Sequence, residues 1–216
     1  LAALAMERPP AVLGSTSTAS VSGVSFGEVR RFRVFWTLCA IQFLFFPSMM
    51  TLPTHLPVHG SDLGMGAAKA ATLLSVLGAT SIAGRLSVGT LSDRIGGKRA
   101  FVMCFVLLLA SLLGLLVSEN HAMLYLVVAA YGFCHGGLFT VVSPLVAEYF
   151  GMRAHGAIFG TILFFGTLGG AMGPTLAGWV FDTTGSYQWA FAGLALLTTV
   201  GLVLVLSLPG KDDAVG

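Results

Sequence analysis

Residues 70–118 read AATLLSVLGATSIAGRLSVGTLSDRIGGKRAFVMCFVLLLASLLGLLVS. Two long apolar runs, 70–92 and 100–118, are joined by a short connection that carries four of the five charged residues in the stretch. Hydrocarbon offers no water to backbone polar groups, so a crossing segment needs about 20 mostly apolar residues closed into a helix. The stretch therefore predicts two membrane-spanning helices joined by a tight, basic turn.

The rest of the chain repeats this pattern. Of its 216 residues, 56% are hydrophobic and 9% are charged, whereas a soluble domain carries about a quarter charged residues. Four further apolar runs are long enough to cross a membrane, at 34–54, 123–149, 157–181 and 187–208. We therefore predict an all-α, polytopic membrane protein built as a six-helix bundle, and we exclude a soluble globule.

The basic residues lie almost entirely on one side of the predicted bundle. Six crossings place both chain ends on one side, which holds nine Lys or Arg residues, against Lys69 alone on the other. Short loops with such an excess face the cytoplasm. The sequence thus predicts a multi-pass protein of the plasma (inner) membrane with both termini cytoplasmic. The nine residues are Arg8, Arg30, Arg31, Arg33, Arg94, Lys98, Arg99, Arg153 and Lys211.

The ends of the chain are polar. The segment 14–27 is rich in Ser, Thr and Gly, a composition typical of a flexible linker. We therefore divide the chain into a cytoplasmic flexible linker at 1–31, one membrane domain at 32–210 and a cytoplasmic tail at 211–216. Since position 1 is leucine, we expect the chain to be a piece of a longer protein.

Several function classes lack the residues that they need. The net charge of +2 is too balanced for nucleic acid, which binds to clustered basic residues, so no nucleic-acid partner is expected. A phosphate-binding loop would need a glycine where Ser92 stands and a Ser or Thr where Arg99 stands. The histidines are scattered and the cysteines lie inside apolar runs, so we expect no metal and no cofactor.

Arg85 is the single formal charge in the interior of a predicted span, away from the span ends. A guanidinium there costs roughly 2.5–3.5 kcal/mol on insertion scales, so it usually faces a partner or a wet cavity. Its helical face also carries Ser81, and a guanidinium can bind a carboxylate through paired hydrogen bonds, which predicts a small organic anion as ligand. The alternative is snorkelling, because Arg85 lies about six residues, or ~9 Å, from the predicted helix end.

Two further polar residues lie in the fourth span. His135 is central, where a neutral imidazole could relay protons or bond a substrate oxygen. A structural hydrogen bond to another helix explains it equally well. Glu148 lies near Arg153 at the end of the span, which predicts an interfacial ion pair. The predicted substrate-binding residues are therefore Arg85, Ser81 and His135.

Glycines at four-residue spacing predict close helix contacts. In a membrane, small residues at this spacing let backbones touch, as at Gly156 and Gly160, whereas a proline removes a backbone donor and bends a helix. The residues assigned to packing and bending are Gly132, Gly136, Pro144, Gly166, Gly170, Gly173 and Pro174.

The connection Gly89-Thr-Leu-Ser-Asp93-Arg94-Ile-Gly96-Gly97-Lys98-Arg99 resembles the cytoplasmic-loop signature of the major facilitator superfamily. Four other stretches, 83–86, 143–151, 173–178 and 182–187, are similar to the carboxyl-terminal half of its monocarboxylate transporter-like and oxalate/formate antiporter-like branch. The resemblance implies that the six spans are half of a twelve-helix major facilitator fold, with an amino-terminal six-helix half encoded upstream.

This resemblance also implies a function. It implies a secondary active transporter that moves a small organic anion, such as a monocarboxylate, across the lipid bilayer by alternating access, with Arg85 binding the anion. Ser81 stands where monocarboxylate transporters carry an acidic residue, so any coupling to protons falls to His135 or to the other half. The span 157–181 lacks the lysine of oxalate carriers, which argues against a dicarboxylate. The residues of the gating-loop motif are Gly89, Asp93, Arg94, Gly96, Lys98 and Arg99.

Two other functions stay open. An intramembrane serine hydrolase could use Ser143 as its nucleophile. His135 lies eight residues away, about 12 Å along a helix, which is too far for a hydrogen bond. A base from another helix would be needed, and the sequence names none. A non-transporting membrane assembly module would need only the packing surfaces.

Overall fold

The structure, a computed structural model, describes residues 23–118 and 120–210. The predicted linker up to residue 22 and the predicted tail lie outside the described residues. The helices of the described part are α1 (Phe26–Val29), α2 (Arg33–Asp62), α3 (Ala67–Ile95), α4 (Gly97–Leu116), α5 (His121–Phe150), α6 (His155–Thr184) and α7 (Gln188–Ser207). Apart from one isolated bridge between Gly23 and Gly151, these two ranges contain no extended pairing.

The helices α2 to α7 correspond to the six predicted spans. Each is long and apolar enough to cross a membrane, so the predicted all-α, six-helix architecture is confirmed. The largest difference is in α2, which continues eight residues past its predicted end and contains Pro47, Pro53 and Pro57. Membrane helices tolerate proline where neighbouring helices and Ser or Thr side chains satisfy the freed backbone groups.

The helices pack in pairs that leave one face open. α3 lies along α5, α6 lies along α2, and α4 and α7 pack on each other behind them. The hydroxyl of Tyr131 on α5 donates to the carbonyl of Ser48 on α2 over 2.9 Å, which joins the two central helices. Within the described residues, α3 and α6 barely contact each other. We call the surface between α3 and α6, floored by α2 and α5, the open face.

Glycines bring α3 and α5 into backbone contact. Gly136 lies against the backbone of Ser81, and Gly84 lies against the backbone of Phe133, with no room for a Cβ atom at either glycine. Gly132 makes the same kind of contact with Leu77. Because hydrocarbon provides no hydrophobic force between helices, such close backbone packing is a main source of their association.

The contact between α2 and α6 uses the glycines of the fifth span. Gly166 and Gly170 lie against the ring of Phe46, and Gly173 lies against Pro47. By contrast, a Cβ atom added at Gly156 or Gly160 would meet no heavy atom within 4 Å outside its own helix. The first turns of α6 stand clear of the other helices at these positions, so their four-residue spacing marks no contact.

The segment before α2 is anchored, although the prediction made residues up to 31 a flexible linker. The amide of Val24 donates to the carbonyl of Phe150 over 2.9 Å, and Val29 is fully buried. The hydroxyl and amide of Ser25 both donate to the carboxylate of Glu28, over 2.6 and 2.9 Å, which lowers the pKa of Glu28. This capping box and the burial of Val29 hold residues 23–29 in spite of their small polar neighbours.

Candidate functional site

The site lies at one level of the bundle. We call the end where α2, α4 and α6 begin the basic end, because it carries Arg94, Lys98, Arg99 and Arg153. At 1.5 Å per residue, Arg85 lies about 15 Å from this end of its helix and Phe139 about 17 Å. Gln42 on α2 and Thr167 on α6 lie about 14 and 18 Å from the same end. Four helices therefore present side chains at nearly one depth.

Arg85 projects from α3 towards α5. Its side chain is exposed, and its Cζ atom lies 6.0 Å from the centre of the Phe139 ring, within the range of a cation–π contact. α3 runs to Ile95, so Arg85 lies about 15 Å from the helix end and not ~9 Å as predicted. Because Phe139 lies no nearer to the basic end than Arg85, its contact holds the guanidinium at this depth and disfavours snorkelling.

The three predicted substrate-binding residues form one patch. The hydroxyl of Ser81 lies 3.2 Å from Nδ1 of His135, and Arg85 follows Ser81 by one helical turn. The ring centres of His135 and Phe139 are 5.1 Å apart. His135 thus makes the hydrogen bond between helices that the structural alternative predicts, and Phe139 connects it to Arg85.

The predicted gating loop is a one-residue joint between α3 and α4. Gly96 has φ +88°, a conformation that favours glycine, and its amide donates to the carbonyl of Ser92 over 2.9 Å. Gly89 packs beside Thr140 of α5, and Lys98 donates to the carbonyl of Leu208. The other three residues of the gating-loop motif are exposed, namely Asp93, Arg94 and Arg99.

Glu148 binds this joint. Its carboxylate accepts a hydrogen bond from the amide of Gly97 over 3.2 Å. Glu148 therefore does not form the predicted ion pair with Arg153, but binds the start of α4. The first amides of a helix lack partners within the helix, and the helix dipole favours a negative charge there. The joint, α4, α5 and the end of α7 are consequently tied together at the basic end.

The prolines of the fourth and fifth spans lie inside continuous helices. Pro144 lies within α5 and Pro174 within α6. The carbonyl of Pro174 lies 3.0 Å from Nε2 of His55, so this nitrogen carries a proton that it donates. Nδ1 of the same ring lies 2.9 Å from the hydroxyl of Tyr187. The sequence did not single out this link between α2, α6 and α7, which lies towards the end opposite the basic end.

Ser143 has a histidine neighbour that sequence reasoning did not find. Its Oγ lies 3.1 Å from Nε2 of His155 on α6, and the His155 ring stacks on Phe159 at 5.8 Å. Nδ1 of His155 is buried without a hydrogen-bond partner among residues 23–118 and 120–210. A hydrolytic pair needs a third group to orient its base, so this pair lacks the carboxylate that would hold the imidazole.

Gln42 was also missed by the sequence reasoning. It is 1% exposed, and neither atom of its amide has a hydrogen-bond partner in the described part of the chain. The available signal in the sequence was an amide side chain within a predicted membrane span. Gln42 lines a cavity of about 240 Å³ between α2, α5 and α6.

A model of a known protein family matches almost the whole chain. The family model described as Major Facilitator Superfamily matches residues 1–118 and 88–215. Monocarboxylate transporter 13 of Bos taurus is 31% identical over 199 residues, which cover 90% of this chain and 45% of that protein. Monocarboxylate transporter 13 of Rattus norvegicus is 33% identical over 156 residues, covering 70% and 36% respectively. The chain therefore spans about half, or less, of the length of these relatives.

A solved structure shares the fold. The crystal structure of the E. coli fucose:proton symporter FucP matches with a TM-score of 0.71 at 17% identity, covering 84% of this chain and 45% of that chain. At this identity the likeness concerns the fold alone. The six described membrane helices thus have the architecture of half of that larger domain.

Proposed function

The chain belongs to the Major Facilitator Superfamily, and on that basis we propose that it forms the carboxyl-terminal half of a secondary active transporter for a small organic anion. It is an integral, multi-pass membrane protein, with six helices long and apolar enough to cross among its described residues. The relatives that it matches are transporters and not enzymes. The chain covers 45% of the bovine relative. We therefore include an amino-terminal six-helix half, outside this chain, in the proposal.

The observation that carries the proposal is the position of Arg85. It is an exposed cation beside the open face, about 15 Å into its helix, and the described residues contain no ion pair that would neutralise it. The relatives from Bos taurus and Rattus norvegicus are named monocarboxylate transporters. A guanidinium binds a carboxylate through two parallel hydrogen bonds.

The transport step that we propose is a rocking of this bundle against its amino-terminal partner. In such carriers the substrate site lies near the middle of the membrane, between two bundles that move as units. The bonds of Glu148 to Gly97 and of Lys98 to Leu208 support movement as a unit, because they tie four elements together at the basic end. We place this end in the cytoplasm on the excess of Lys and Arg.

Protons are the coupling ion that the site could accept. His135 is the titratable group nearest to the proposed anion site on α5, and it is hydrogen-bonded to Ser81. Protonation of the imidazole would place a second positive charge beside Arg85 and strengthen the binding of an anion. Coupling through His135 therefore requires that substrate and proton bind together.

Removal of the Arg85 charge tests the proposed function. In the complete gene product that contains this chain, Arg85→Ala should reduce the saturable uptake of radiolabelled monocarboxylates by about 30-fold or more, since loss of one partner of a desolvated charge pair costs about 2–5 kcal/mol. Arg85→Lys should retain part of the uptake, because it keeps the charge but loses the paired donors.

The control for this experiment is Arg31→Ala, which removes an exposed arginine between α1 and α2. Its uptake should equal that of the wild type at equal protein levels in the membrane. Undiminished uptake by Arg85→Ala would reject the role of Arg85. A reconstituted wild-type protein that moves no monocarboxylate, but retains its fold and binds another protein, would instead support the assembly module.

A further inference from the structure

Beneath the open face lies a cavity that no predicted site residue lines. Its volume is about 240 Å³, and it lies between three helices. The side chains that line it are Gln42, Phe45 and Phe46 of α2, Leu138, Phe139 and Val142 of α5, and Phe159, Leu163 and Thr167 of α6. Phe139 and Thr167 are exposed, so the cavity borders the open face.

The amide of Gln42 is the unusual group in this cavity. It offers two donors and an acceptor, and none of them is used in the described structure. Almost all buried polar groups in folded proteins have a hydrogen-bond partner. The hydroxyl of Thr167, the other polar side chain of the cavity, already donates to the carbonyl of Phe164 over 2.8 Å. The Gln42 amide therefore has donors and an acceptor that the described residues leave unused.

The side chains around this amide determine what kind of ligand would fit the cavity. Four of the nine lining side chains are phenylalanines, and three more are aliphatic. Aromatic walls favour aromatic ligands through edge and offset contacts in addition to buried area. A pocket with apolar walls and one free polar group fits an apolar body that carries a single hydrogen-bonding group.

The position of Arg85 defines the other end of the ligand. Arg85 does not line the cavity, but its guanidinium lies 6.0 Å from the ring centre of Phe139, which does. A carboxylate bound by Arg85 must therefore extend past the Phe139 ring before its far end reaches Gln42.

We infer that the substrate is a monocarboxylate with an aromatic or bulky apolar body and a distal hydroxyl or carbonyl group, and that the Gln42 amide binds this distal group. The inference rests on the proposed function in one respect only, which is the binding of the carboxylate by Arg85. Gln42 then determines specificity, because an acid without the distal group leaves the buried amide unpaired.

The test uses two acids that differ in the distal group alone. Uptake of 3-(4-hydroxyphenyl)propionate and of 3-phenylpropionate is measured in proteoliposomes with the complete gene product, for the wild type, Gln42→Leu and Arg85→Ala. The wild type should take up the hydroxylated acid with a KM about tenfold lower. Gln42→Leu should abolish this difference by raising the KM of the hydroxylated acid alone.

The controls separate this inference from the proposed function. Gln188→Leu alters the chain's other glutamine, which is exposed at the start of α7, and should preserve the tenfold preference. Arg85→Ala should abolish uptake of both acids. If this variant still takes up both acids, the result would count against the proposed function and not against the role of Gln42. Equal KM values for the two acids in the wild type, or an equal effect of Gln42→Leu on both, would overturn the role of Gln42.

Discussion

Replacement of Gly136 by alanine tests the close approach of α3 and α5, which positions Arg85 beside Phe139. A Cβ atom at Gly136 would lie 2.7 Å from the carbonyl carbon of Ser81 and 2.9 Å from its Cα atom. Carbon atoms in ordinary contact are about 3.5–4.0 Å apart, and a backbone carbonyl cannot rotate away as a side chain can. The two helices must therefore separate by about 1 Å.

This separation has two costs. Overpacking of a tight contact costs about 1–3 kcal/mol. The hydrogen bond between Ser81 and His135, now 3.2 Å, would lengthen beyond the useful range, at a cost of about 1 kcal/mol. Alanine recovers up to about 1 kcal/mol over glycine in a helix. We expect a net destabilisation of about 1–3 kcal/mol, or a fall in Tm of roughly 3–10 °C for a chain of this size.

The buried cysteines provide the assay. Cys104 and Cys134 are 1% and 0% exposed, so a maleimide dye reacts with them only when the packing around α5 opens. Thermal unfolding in detergent is followed by the rise in dye fluorescence. The matched control is Gly78→Ala on α3, where a Cβ atom meets nothing within 4 Å, and its Tm should equal or exceed that of the wild type. Equal Tm values for the two variants would refute the contact between α3 and α5 at Gly136.

Two further predictions concern the chain segment before α2 and the Ser143 pair. Because the hydroxyl and the amide of Ser25 lower the pKa of Glu28, their contribution to stability is present above the usual value of about 4.3 and is lost as the pH falls through the lowered pKa. Ser25→Ala should move the NMR titration of ¹³C-labelled Glu28 back towards that value, and an unchanged titration would contradict the capping box. A fluorophosphonate probe should not label Ser143, because no group among residues 23–118 and 120–210 orients His155. Labelling that disappears in Ser143→Ala would restore the hydrolase alternative.

The number and approximate positions of the long helices were predictable because they depend on local composition. A run such as 100–118 must form a helix in hydrocarbon whatever surrounds it, and α4 covers Gly97–Leu116. Elsewhere composition and packing give different indications. Residues 23–29 have the composition of a linker, yet a buried valine and a capping box hold them against the connection between α5 and α6.

The site was only partly predictable. Arg85 stands out because a charge in hydrocarbon is costly wherever the helix lies. The pairs of Ser81 with His135 and of Ser143 with His155 depend instead on which helices meet. Glu148 could have paired with Arg153 by sequence distance, but the tertiary structure places the amide of Gly97 within its reach.

By itself the sequence determined that the chain crosses the membrane six times, which helices carry charge and which end is basic, because each follows from the transfer of single side chains and local backbone into lipid. Only the tertiary structure decided that Gln42 lines a cavity with its amide unpaired among the described residues, and that Phe139 lines the same cavity and lies against Arg85. These residues come from three helices far apart in the chain, and the glycine contacts that bring the helices together act between segments that no local pattern connects.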